Sequence, residues 1–183
     1  MKAIGTIDSS KNFIDFEIEK PILRPHDLLI KVEAISINPV DTKVRKGIKG
    51  NLAEPKILGW DGLGTVVELG SETNLFKVGD KVFWAGDVTR SGSNAEFQAV
   101  DERIVGFAPK NLTKEKAVAM PLTSLTAYEL LFEKLEVTDE SKGKSLLIIN
   151  GAGGVGSVAI QMAKNAGLTV IATASNPQAI EWV

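Results

Sequence analysis

The sequence predicts an α/β plus β chain: a compact barrel or sandwich of short strands, then the opening of a parallel α/β sheet. Three observations predict it. Up to about Val105, short runs of alternating apolar and polar residues are separated by turn residues. After Pro109 the apolar residues take helical spacing. From Ser145 to Ala163 a short apolar run enters Gly151-x-Gly153-x-x-Gly156 and continues as a helix.

Each element follows from its own residues. Phe13 to Ile18 alternates, with Ile14, Phe16 and Ile18 on one face and Asp15 and Glu17 on the other, the period of a half-buried strand. Ile30, Val32 and Ala34 repeat the pattern, and the phase then passes to Ile35 and Ile37, which predicts a bulge or bend. Gly64–Leu69, Lys81–Trp84 and Ala95–Val100 are further strands, divided by turns at Gly70, Val78-Gly79-Asp80 and Ser91-Gly92-Ser93. Lys114–Met120 and Leu122–Leu135 read as helices around Pro121, closed by Gly143. A strand over about Lys144–Ile149, a helix over about Gly154–Asn165 stopped by Gly167, and a strand over Thr169–Thr173 follow. Asn176-Pro177 then supplies an N-cap and first residue for a last helix. The chain ends in the second turn of that helix, and a two-stranded parallel piece leaves apolar surface bare, so the sequence reads as the N-terminal part of a longer protein.

Composition removes several function classes. With 44% hydrophobic and 24% charged residues and a net charge of -2, nothing points to nucleic acid or an anionic membrane as partner. The cluster Lys43, Arg45, Lys46, Lys49 reads as a solvated helix end. There is no cysteine, which excludes disulfides, thiolate catalysis and cysteine-ligated zinc in these residues. His26 is the single histidine, too few for a histidine-rich metal site, and no Gly-x-Ser-x-Gly elbow accompanies it to build a nucleophilic relay. The uncharged run Ser145–Ala163 carries four glycines, Asn150 and Gln161, so it reads as strand, turn and helix rather than a membrane span. The opening MKAIGTIDSS lacks the apolar core of a signal peptide, which makes the expected location cytoplasmic.

The glycine turn carries the chemistry. Gly151, Gly153 and Gly156 suit a tight turn, a close approach of pyrophosphate and helix–strand packing, while Gly154 and Val155 offer backbone N–H groups to phosphate. The strand that follows ends Thr173-Ala-Ser-Asn176, without the Asp or Glu that binds the ribose 2′-hydroxyl of NAD. That favours NADPH, with Ser175 and Asn176 as candidate donors to its 2′-phosphate or, for Asn176, a plain helix N-cap.

Taken together, the short-strand barrel and Asn150-Gly-Ala-Gly-Gly-Val-Gly156 resemble the medium-chain dehydrogenase/reductase superfamily of alcohol dehydrogenases and quinone oxidoreductases. Ser36–Asp41, Leu58–Gly64, Lys77–Val82, Pro121–Tyr128 and Ala172–Pro177 support the resemblance in the same order, over essentially the whole chain. It implies a GroES-like β-barrel catalytic domain over residues 1–121 and the start of a Rossmann doubly wound sheet over 122–183. Zinc-binding relatives place cysteine where Asn38 stands and histidine where Trp60 stands; neither amide nor indole replaces them, so no metal is expected.

Without a Lewis acid, the resemblance points to the zinc-free quinone oxidoreductase branch, with a quinone or other conjugated carbonyl such as an enone as substrate. It implies that Asn38 lies near nicotinamide and acceptor as the catalytic hydrogen-bond donor, and that Thr126 contacts cofactor. Trp60 is expected to line the substrate cleft, and a homodimer is expected because such relatives often pair through the nucleotide domain. Asp41 reads as a helix cap, and Tyr128 as a packing residue. The alternative is an NADPH-binding sensor or structural member of the same superfamily with little turnover.

Overall fold

The computed structural model describes residues 1–9 and 12–183, which separate into two compact units, Met1–Leu122 and Thr123–Val183. The first unit is built on two antiparallel sheets. Strands β1 (Lys2–Asp8), β2 (Ile14–Glu17) and β4 (Asn51–Ile57) form one, in the order β2-β1-β4. Strands β3 (Asp27–Ser36), β5 (Asp61–Leu69), β6 (Lys81–Ala85), β7 (Phe97–Asp101) and β8 (Val105–Phe107) form the other, in the order β7-β3-β5-β6-β8. Pro55 falls in β4, at a sheet edge, where its missing N–H costs no ladder bond on the open side.

The core of the larger sheet is Leu28, Ile30, Val66, Val82, Trp84 and Val100, all nearly or fully buried. Trp84 belongs to this core, and its indole N–H donates to Gln98 Oε1 at 2.9 Å. The predicted irregularity in β3 is present as a shift in its register with β5 between Val32 and Ala34, but the buried phase does not pass to Ile35 and Ile37, which are 40% and 77% exposed. Four consecutive residues, Asp27 to Ile30, lie buried before alternation resumes, in the stretch where β3 is flanked by β7 and β5.

Helix α1 (Pro39–Gly47) starts with proline in its first turn and carries Arg45 and Lys46 in its last, where cations complement the helix dipole. The basic cluster is thus a helix end, with one correction: the Arg45 guanidinium is half-buried over the Phe13 ring, 4.4 Å from its centroid. A short helix α2 (Lys114–Val118) buries Ala117 and Val118 against Leu63.

The predicted helix over Leu122–Leu135 is two conformations. Helix α3 (Pro121–Tyr128) gives way to a π-helical turn over Glu129–Lys134, whose wider winding is seen in Leu135 N–H donating to the Leu130 carbonyl at 3.0 Å. Tyr128 is 52% exposed and packs against Phe132.

In the second unit β9 (Ser145–Ile148) pairs in parallel with β10 (Thr169–Ala172), and α4 (Gly154–Asn165) connects them. Leu146, Ile148 and Val170 face Ala159, Ala163 and Leu168, so one face of this pair is core. Gly167 takes φ +83°, the left-handed stop expected after α4. Helix α5 (Pro177–Trp182) closes the chain. Among the described residues no helix is long and apolar enough to cross a membrane.

Candidate functional site

In the first unit the candidate residues converge on the N-terminus of α1 and the start of β5. Asn38 is the α1 N-cap and is 7% exposed. Its backbone N–H donates to Asp41 Oδ2 at 2.7 Å, and the other oxygen of Asp41 accepts the Gly59 N–H at 3.0 Å. Asp41 is therefore the structural cap expected of it, tying α1 to the Leu58–Trp60 turn. The side chain of Asn38 has a partner that its sequence context does not suggest: Nδ2 donates to Asp61 Oδ2 at 2.7 Å.

Asp61 is wholly buried, and its second oxygen, Oδ1, accepts the Leu122 N–H at 2.9 Å. Burial pushes its carboxyl above the ordinary aspartate value; the hydrogen bonds from Asn38 and Leu122 oppose this, and the charge of Asp41 adds to it. Trp60 is 6% exposed, and its carbonyl accepts the Gly86 N–H at 2.8 Å. A groove of about 920 Å³ opens beside this site, between Ile4, Phe16, Val32 and Ile35 with Asp41 and Leu58 on its wall, and neither Asn38 nor Trp60 lines it.

The donor set does not suit zinc. Asn38 presents an amide whose nitrogen is engaged, Trp60 an indole, and Asp61 a carboxylate with an N–H on each oxygen. Among the described residues no group of three or more His, Cys, Asp or Glu side chains is placed to hold a metal ion.

In the second unit the glycine turn has the geometry of a phosphate cradle. Asn150 takes φ +60°, a left-handed conformation that asparagine tolerates, and its N–H donates to Thr173 Oγ1 at 2.9 Å. The Gly151 N–H donates to the Thr173 carbonyl at 2.8 Å, so the turn is sewn to the end of β10. Gly153 is the α4 N-cap, and the first α-helical bond runs from Ser157 N–H to its carbonyl at 2.8 Å. The N–H groups of Gly154, Val155 and Gly156 precede that bond and have no carbonyl one turn back. A side chain at Gly156 has no room: its Cβ falls 2.4 Å from the Asn150 carbonyl oxygen and 2.8 Å from Gly151 Cα. These residues fit a dinucleotide pyrophosphate, by bare backbone, unpaired helix-start donors and the positive end of a 12-residue helix.

Ser175 and Asn176 sit between β10 and α5, both exposed. Asn176 Oδ1 accepts the Ala179 N–H at 2.9 Å, so its helix-cap role is realised and its amide nitrogen is the group left for a ligand. Thr126 is half-buried on α3.

Sequence reasoning singled out the glycine turn and Asn38, and it missed Asp61 as a partner and the Asn150–Thr173 lacing. The signal for Asp61 was an acid beginning a glycine-rich strand, Asp61-Gly-Leu-Gly64, where a solvent-facing charge is out of place.

Comparison with known proteins agrees with this architecture. The family model of the alcohol dehydrogenase GroES-like domain matches residues 24–121. A zinc-type alcohol dehydrogenase-like protein of Staphylococcus epidermidis is 46% identical over all of this chain and 56% of its own length. The NADPH-dependent alkenal/one oxidoreductase of Arabidopsis thaliana chloroplasts is 37% identical over 98% of this chain and 47% of its own. The solved structure of the quinone oxidoreductase from Coxiella burnetii superposes with a TM-score of 0.82 at 34% identity, covering 100% of this chain and 59% of that one. The chain spans about half the length of the curated relatives it matches.

Proposed function

Because the chain belongs to the alcohol dehydrogenase GroES-like family of the medium-chain dehydrogenase/reductase superfamily of oxidoreductases, we propose that it serves NADPH-dependent reduction of a conjugated carbonyl, a quinone or an enone, without zinc. The observation that carries the reading is the Asn38–Asp61 pair beside Trp60, where zinc members need a thiolate and an imidazole. A conjugated acceptor is already electron-poor, so hydrogen bonding to its oxygen can replace a Lewis acid.

NADPH, when bound, supplies the hydride. The N–H groups of Gly154, Val155 and Gly156 hold its pyrophosphate, and Ser175 with the Asn176 amide meets the 2′-phosphate, where no carboxylate repels it. Thr126 contributes a hydroxyl to the cofactor. Asn38 Nδ2 keeps one N–H on Asp61 and offers the other to the carbonyl oxygen of the acceptor, where negative charge builds as hydride arrives. Trp60 gives the acceptor an apolar wall. The proposed setting is the cytoplasm, where NADPH and small conjugated carbonyls meet.

Purified protein is mixed with NADPH or NADH and with an enone, a quinone or an unconjugated ketone, with and without a chelator. The expected result is oxidation of NADPH in preference to NADH by the conjugated acceptors, unchanged by chelation. Turnover of the simple ketone that disappears on chelation overturns the zinc-free reading. Tight NADPH binding with no turnover on any acceptor gives the sensor role instead.

A further inference from the structure

Asp61 touches neither acceptor nor cofactor in the reaction just described, yet no other acid among the described residues is so completely enclosed. It begins β5 and is paired in register on both sides, with Ser36 of β3 and Ala85 of β6. Its own carbonyl accepts the Ser93 hydroxyl at 2.8 Å, so backbone and side chain are both fixed. Its two carboxylate oxygens serve different segments: Oδ2 accepts from the Asn38 amide and Oδ1 from the Leu122 N–H in the first turn of α3.

An ionised carboxylate only accepts hydrogen bonds, so the end of the Asn38 amide that faces it must be nitrogen. An amide turned the other way would set oxygen against oxygen. With Asn38 N–H held by Asp41 as well, the residue is pinned at backbone and side chain by two separate acids. We propose that Asp61 is a positioning residue: it selects the orientation of the Asn38 amide and joins that amide to the first turn of α3 through a single shared carboxylate. This rests on the reading of Asn38 as the group that meets the acceptor, and it adds a requirement that reading does not contain. The neutral isostere Asp61→Asn has one accepting oxygen where two are needed, so it can serve Leu122 or Asn38 but not both.

The test combines kinetics with a measurement that needs no turnover. In the reduction of an enone, D61N lowers kcat at least tenfold with the KM for NADPH unchanged. In an N38A background the same substitution changes kcat less than twofold, because the group it acts through is gone. Additive losses in the double variant, or D61N with unaltered kcat, overturn the proposal.

The second measurement is NMR on the wild-type protein: scalar coupling across the hydrogen bond from Asn38 Nδ2 to the Asp61 carboxyl carbon, with one side-chain amide proton shifted downfield. Absence of that coupling overturns the proposal even if D61N fails to fold. If no conjugated acceptor is reduced, the proposed function fails while the coupling still decides whether Asp61 orients Asn38.

Discussion

At the scale of single residues, two buried aspartates of the first unit respond to acid in opposite senses. Asp27 is 1% exposed; burial pushes its carboxyl up, but the two hydrogen bonds from Arg90, the Arg24 N–H and the positive charges of both arginines outweigh it and hold it below the ordinary value. A lowered folded value means that Asp27 contributes stability above the unfolded value of 3.8, and that this is lost as pH falls through the folded one. Asp61 is raised, so its contribution favours the fold at low pH and is lost as pH rises from 3.8 through its folded value. Chemical denaturation across the acid range should therefore show D61N removing a loss of stability with rising pH. Arg90→Met should remove a gain and cost about 3 kcal/mol at neutral pH by leaving a buried charge unpaired. Neither partnership was legible in the sequence, because Asp27 and Arg90 are 63 positions apart and Asn38 and Asp61 are 23 apart. Asn38 itself was legible, since a neighbouring Pro39 and the family pattern mark it without knowledge of its partner.

At the scale of elements, the second unit was read closely because each boundary there is set by local chemistry. Helix α4 starts at Gly154 and ends at Asn165 as the spacing predicts, with the left-handed Gly167 behind it. The first unit was read less completely. Strand β4 contains Pro55 and Glu54, poor strand formers, and it exists because β1 pairs with it, a tertiary cause that composition does not carry. The glycine turn gives the prediction at this scale. Gly156→Val puts a β-branched side chain where even Cβ meets the Asn150 carbonyl oxygen at 2.4 Å. We expect NADPH affinity to fall at least tenfold, about 1.4 kcal/mol, with about 1–3 kcal/mol lost in stability from overpacking. Fluorescence titration with NADPH and urea denaturation measure the two effects separately.

At the scale of the whole molecule, the fold class was legible because periodicity changes type along the chain, from two to 3.6, and the chain divides into units of those two kinds. What remains exposed is as informative as what is packed. On the β9–β10 pair, Leu147 and its registered neighbour Ile171 are 58% and 55% exposed, with Ile149 at 76% beside them. Parallel sheets are ordinarily covered on both faces. The chain should accordingly bind an apolar fluorescent dye strongly at neutral pH, and Leu147→Thr with Ile171→Thr should reduce that signal while leaving the opposite face and its core unchanged. Equal dye binding by the double variant would place the exposed apolar surface elsewhere.

The π-helical turn at Glu129–Lys134 has a genetic consequence. The wider i→i+5 winding of a π turn closes its hydrogen-bonded loop with one residue more than the α-helix that precedes it, so it can lose one residue and still close as an α turn. Here the surplus is accommodated while Leu131 stays in the core. A deletion of one codon for an exposed residue, such as Glu133, should then be absorbed by relaxation to ordinary α-helix, whereas the same deletion in α4 would rotate Ala159 and Ala163 out of register with the sheet. Length variation among natural copies of this gene is accordingly expected to gather at the π turn and to spare the helix that follows the glycines.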